Sequence, residues 1–136
     1  MNIIDYLWRA YYSIGDMKRA VKFGLQRMFR GYDDTAEWGL SSYLTEIILP
    51  VLKKYRKSCL GLPYNKDTKD FHTEEEWNAR LDRMIVAFDL VLKEDNDDFI
   101  TIPFDKDEFI KQQEKRRVKI DAGLKEFSDY FQNLWN

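Results

Sequence analysis

The stretch Thr73–Lys93, TEEEWNARLDRMIVAFDLVLK, decides the fold. Thr73 followed three residues later by Glu76 is a capping box. The threonine oxygen accepts from the Glu76 amide, and the glutamate reaches back to the Thr73 amide. Glu74, Glu75 and Glu76 suit the positive end of the helix dipole. Trp77, Leu81, Ile85, Phe88 and Leu92 recur at steps of four and three, which sets them on one face. A helix of this length spans about 30 Å, the width of a small domain. The spacing predicts a long central helix around which the rest of the chain packs.

On the C-terminal side, Glu94 to Asp107 is acidic and polar and contains Pro103. Phe99-Ile100-Thr101-Ile102 is the one β-like run, too isolated to found a sheet, and reads as a tether. Lys106 to Trp135 reads as a long C-terminal helix. Ile110, Gln113, Arg117, Ile120, Leu124, Phe127, Phe131 and Leu134 alternate steps of three and four, a heptad seam. Gln113 and Arg117 stand where apolar residues belong, so the seam is expected to pack in its second half and project in its first. Lys115, Arg116, Arg117 and Lys119 make that first half basic. It is read either as a solvated helix end or as a contact for a partner or a second subunit.

On the N-terminal side, Ser58 to His72 holds Gly61, Pro63 and Asn65-Lys66-Asp67 and reads as a loop, pinned by Leu60, Leu62, Pro63 and Tyr64. Residues 2–12 predict a first helix, with Asn2 as its cap. Asp16 is placed to cap a second helix ending at Phe29, with Met17, Ala20, Val21, Gly24, Leu25 and Met28 as its apolar stripe. Lys18, Arg19, Lys22, Arg27 and Arg30 surround that stripe, and Gly31 follows as a C-cap. Asp34 and Glu37 give a second capping-box pattern. Trp38, Leu40, Tyr43, Leu44, Ile47, Ile48, Val51, Leu52 and Tyr55 then predict one broad buried face. Pro50 removes a hydrogen bond to the Glu46 carbonyl and is expected to kink this helix.

Composition agrees with that reading. The 136 residues fit one domain, 1–136, large enough for its own core. Six glycines and three prolines encode few turns, so helices should be long. The expectation is an all-α, single-domain bundle of about five helices. Aromatic residues make up 15%, which serves either a dense core or an aromatic binding surface. Cys59 alone forms no intrachain disulfide, and with His72 it supplies too few ligands for a His/Cys metal site. No run approaches the ~18 apolar residues of a membrane span. No signal peptide is read, and a cytoplasmic location is expected. Residues 1–30 hold six basic and two acidic side chains, whereas residues 61–108 hold six basic and fourteen acidic. The two regions can attract one another within the fold or between subunits, and a homo-oligomer is expected. The overall balance of −2 does not favour DNA binding.

Residues for catalysis are scarce. The glycines never cluster into a phosphate loop. His72 is the one histidine and is expected to be a neutral surface residue at the start of the central helix. All-α nucleotide pyrophosphohydrolases hold Mg²⁺ on paired acidic motifs of neighbouring helices. Here Asp82 and Asp89 share a face and Glu94-Asp95-Asn96-Asp97 has one such spacing, but no paired E-x-x-E helix precedes them. No metal and no cofactor is expected. Nucleotide binding without catalysis needs only aromatic faces and cations. Arg27, Arg30 and Tyr32, with Trp38 close in sequence, are the candidates for such a pocket, and Arg116 and Arg117 for a partner contact.

Arg30-Gly31-Tyr32-Asp33-Asp34 with Trp38, Leu40, Tyr43-Leu44 and Ile48-Leu49-Pro50 forms one distinctive segment. Glu75-Glu76-Trp77 with Leu81-Asp82, Met84-Ile85 and Ala87-Phe88 forms another, joined by Phe131 and Leu134-Trp135. Together they resemble a group of small bacteriophage-encoded proteins. The motifs are tied to no known reaction, so the resemblance carries over no catalytic residue. It implies expression in the cytoplasm of an infected bacterium. Such proteins work by occupying something, which gives two expectations. One is a non-catalytic accessory protein that binds and inhibits a host protein, for example one of host defence. The other is a sponge that sequesters a signalling nucleotide. A Mg²⁺-dependent nucleotide pyrophosphohydrolase stands third.

Overall fold

In the computed structural model, residues 3–95 and 104–135 are described. The chain divides into two compact units, Met1–Leu40 and Ser41–Asn136. The class is all-α. The described residues form α1 (Ile3–Arg30), α2 (Thr35–Trp38), α3 (Leu40–Ser58), α4 (Glu74–Asp95) and α5 (Lys106–Tyr130), closed by a 3₁₀ turn at Phe131–Asn133. A two-stranded ladder, β1 (Tyr64–Asn65) and β2 (Asp70–Phe71), lies between α3 and α4. The expected Asn2 cap and the Phe99–Ile102 tether fall outside the described residues.

In the first unit, the two expected helices are one. α1 passes through Gly15 and Asp16 without a break for 28 residues. A mid-helix glycine costs only about 1 kcal/mol relative to alanine. The apolar stripe Leu7, Tyr11, Ile14, Val21, Leu25 and Met28 stays in phase across the junction, so continuity costs little. α1 stops at Gly31, whose φ of 80° is the left-handed conformation that glycine adopts freely. The cap of α2 is also corrected. Asp33, not Asp34, accepts from the Thr35 amide at 2.9 Å and from the Thr35 hydroxyl. Asp34 makes no side-chain cap bond.

In the second unit, the Thr73 capping box forms as read. The Thr73 amide donates to Glu76 at 3.0 Å and the Glu76 amide to Thr73 Oγ1 at 3.2 Å. Trp77, Leu81, Met84, Ala87 and Phe88 of α4 are buried, and Leu49, Leu52 and Tyr130 complete the core. Ion pairs of Arg56 with Asp82 and of Lys53 with Asp89 set α3 antiparallel to α4.

α5 also runs antiparallel to α4, but not on the expected seam. Its inward residues are Phe109, Gln113, Arg116, Ile120, Gly123, Phe127, Tyr130 and Leu134, while Ile110, Arg117, Leu124 and Phe131 are exposed. Half of the seam read from the sequence is therefore displaced by one residue. The cause is Gly123. A Cβ there would collide with the Ala87 Cβ and the Arg83 carbonyl, so this small pair lets the two backbones approach closely. In the first half of α5, Arg116 is buried rather than projecting, while residues 106–112 are exposed apart from a half-buried Phe109. Glu126 fastens the same face, bonded to Arg83 at 2.8 Å and paired with Arg80 at 3.5 Å.

The loop before α4 contains more order than expected. Tyr64 pairs with Phe71 and Asn65 with Asp70 in an antiparallel ladder. The turn between them is held by Asn65, whose backbone oxygen accepts from Lys69 and whose side chain accepts from Asp67. His72 follows directly and is buried, contrary to the surface position expected. Its Nδ1 donates to the Pro63 carbonyl at 3.0 Å. Its ring lies edge-on to Tyr130 and tilted against Trp77. The histidine thus ties the hairpin to the core.

Candidate functional site

α3 carries two apolar stripes where the sequence reads one. Leu49 and Leu52 are buried, with Ile48, Tyr55 and Cys59 packed beside them. Leu40, Leu44, Ile47 and Val51, at steps of four, three and four, remain exposed, Val51 by 62%. One helix presents only part of its circumference to its neighbours, and nine apolar positions exceed that arc. Trp38, read as part of the same face, sits on α2 and is 91% exposed.

The surplus lines a groove. Ile47, Ile48, Val51, Leu52 and Tyr55 from one side and Phe127 and Leu134 from the other enclose about 240 Å³ of open space. Phe131, packed against Phe127 with ring centroids 5.5 Å apart, is exposed. The Tyr55 hydroxyl donates to the Trp135 backbone oxygen at 3.0 Å, which holds Trp135 beside α3. Burial first, and then the neighbouring Cys59, pushes that phenol above its ordinary range, so it stays neutral. Among the described residues, no charged side chain lines the groove. It offers dispersion and apolar burial, the chemistry of aliphatic and aromatic side chains.

Arg27, Arg30 and Tyr32 are brought together in a different role. The Asp34 carboxylate accepts from Gln26 at 2.8 Å and pairs with Arg30 at 2.7 Å and Lys22 at 3.0 Å. The Asp34 amide donates back to Gln26 at 3.0 Å. Asp33 takes Arg27 at 3.3 Å, and the Arg30 guanidinium lies 5.0 Å from the Tyr32 ring centre. Gln26, then Arg30 and Lys22, hold the Asp34 carboxyl well below the usual carboxylate range. The same Asp34 contact raises Arg30. The segment is an ion-paired cap on α1, in which two aspartates take up three cations that a phosphate would use. Trp38 makes no ring or cation–π contact among the described residues.

Arg116 and Arg117, adjacent in sequence, part company. Arg116 Nε donates to the Gln112 carbonyl at 3.2 Å inside the fold. Arg117 is exposed, faces Asp121 at 3.8 Å, and lines a shallow depression with Glu94, Gln113 and Ile120. The carboxylates considered for Mg²⁺ have cationic partners. Asp82 accepts two bonds from Arg56, at 2.9 and 3.2 Å, and Asp89 pairs with Lys93 at 2.8 Å. Glu94-Asp97 extends beyond the described residues. Among the described residues, no group of three His, Cys, Asp or Glu side chains is arranged to hold a metal ion. No helix among them is long and apolar enough to cross a membrane.

Comparison with protein-family models, with curated proteins and with solved structures finds no match. The groove is a candidate site that the sequence reading does not single out. Its signal in the sequence is the excess of apolar positions on α3, more than one helix can bury.

Proposed function

We propose that the protein acts by binding, as a non-catalytic accessory protein of a bacteriophage. Its target is a host protein in the cytoplasm of the infected cell, and binding inhibits that protein, with host defence as the setting. The observation that carries this reading is the open groove between α3, α5 and Leu134, whose lining among the described residues is predominantly apolar. Such a surface suits an amphipathic segment of a partner, whose side chains enter at helical spacing. It does not suit a nucleotide, whose phosphates need cations. Arg27 and Arg30, the cations read beside Tyr32, and the neighbouring Lys22 already face Asp33 and Asp34.

Site-specific photo-crosslinking tests this. A photoreactive side chain at Val51, used in host lysate, is expected to capture one host protein. The same group at Val118, an exposed residue of α5 outside the groove lining, is expected not to. Equal capture from both positions overturns the reading. So does a stoichiometric nucleotide released from the purified protein on denaturation, which makes it a sponge.

A further inference from the structure

None of the described side chains of α1 is buried. Leu7, Tyr11, Ile14, Val21, Leu25 and Met28 are between 47 and 72% exposed. Their steps of four and three, with Lys18 filling the one vacant place, form a 3.5-residue repeat over three heptads. A repeat of that period fits another helix wound beside it, because a straight 3.6-residue helix drifts off a flat surface. The flanking positions are Gly15, Met17, Lys22, Gly24 and Phe29. In coiled coils these flanks carry the charges that select a foreign partner. Here the one charge among them, Lys22, is paired with Asp34 of its own chain at 3.0 Å. Asp16, Arg19, Arg27 and Arg30 lie on the opposite face. With no charge code for a foreign helix, the seam matches itself.

Gly15 and Gly24 have no atom within 4 Å of where a Cβ would stand. Each weakens α1 without serving a contact there. Gly123 shows what such a residue does in this protein when a second helix is present: it brings the backbones together.

We infer that α1 pairs with α1 of a second copy as an antiparallel coiled coil. Lys18 sets the direction. A parallel, in-register pair stacks Lys18 on its own copy in the core, two like charges out of water. The antiparallel pair sets Lys18 against Ile14 of the other chain, Tyr11 against Val21 and Leu25 against Leu7. The lysine stem then packs and its ammonium reaches solvent along the edge. This inference stands apart from the groove, which lies on other helices.

Sedimentation of the full chain tests the pairing. The wild-type protein is expected to form a dimer, and Ile14→Asp with Val21→Asp is expected to raise its dissociation constant at least about a hundredfold. Lys18→Leu, which keeps the helix, is expected to tighten the dimer. Direction is read in a Cys59→Ser background by mixing Tyr11→Cys chains with Val21→Cys chains. The mixed disulfide should dominate. A monomer at all concentrations, a dimer unchanged by the two aspartates, a Lys18→Leu dimer no tighter than wild type, or disulfides only between like chains would each overturn the inference.

Discussion

Gly123 on α5 sits against Ala87 on α4, so close that an added Cβ would overlap both Ala87 and the Arg83 backbone. This contact sets the rotation of α5 and, with it, which side chains enter the core. Gly123→Ala is expected to cost about 1–3 kcal/mol as forced overpacking. It should lower the urea midpoint without changing the slope. Leu124→Ala, at the position the heptad pattern places inside, is expected to cost under about 1 kcal/mol. The reverse order would restore the register read from the sequence.

What could and could not be read in advance follows from how far each signal reaches. The Thr73–Glu76 box and the α4 face were legible because capping and helical periodicity are local. The register of α5 was not, because a glycine scores as a gap in an apolar pattern although it marks the closest approach. The exposed half of α3 was invisible for a related reason. Periodicity shows that Ile47 and Val51 are apolar but not whether the fold has a neighbour to cover them. The sequence places His72 at the surface because Pro63 reaches it only through the hairpin and Tyr130 comes from a distant part of the chain. Arg27 and Arg30 pair with Asp33 and Asp34, of which the sequence reads only Asp34, and that as a cap.

Thr73→Ala removes the acceptor for the Glu76 amide and is expected to cost about 1 kcal/mol. Glu76→Gln keeps a reciprocal acceptor and should cost less. Thermal melts of both variants beside wild type check the order.

His72→Ala leaves a hole between Trp77 and Tyr130 and removes one of the two donors to the Pro63 carbonyl, which keeps the His72 amide. The combined loss is expected to reach about 2–4 kcal/mol. Hydrogen exchange should show the Tyr64–Phe71 hairpin losing protection first, ahead of α4.

Asp34 titrates below its ordinary value of 3.8, and the largest cause is Gln26. Because the folded value is the lower one, the carboxylate contributes stability that is fully present above about pH 3.8. That contribution is lost as pH falls through the depressed value. Carbon-detected NMR titration should place Asp34 below the other exposed carboxylates. Gln26→Ala should move it back toward 3.8 by more than Lys22→Ala does. An Asp34 that titrates at its ordinary value would contradict the cap geometry.

The groove carries the functional account. Val51→Asp and Ile47→Asp place a charge on an exposed apolar lining, where substitutions usually change stability by no more than about 0.5 kcal/mol. The most direct measurement is quantitative affinity capture from host lysate by wild type and by these two variants, with melting temperatures matched. The account predicts that one host protein bound by wild type falls at least tenfold with either variant. The same host protein recovered equally by all three would contradict it.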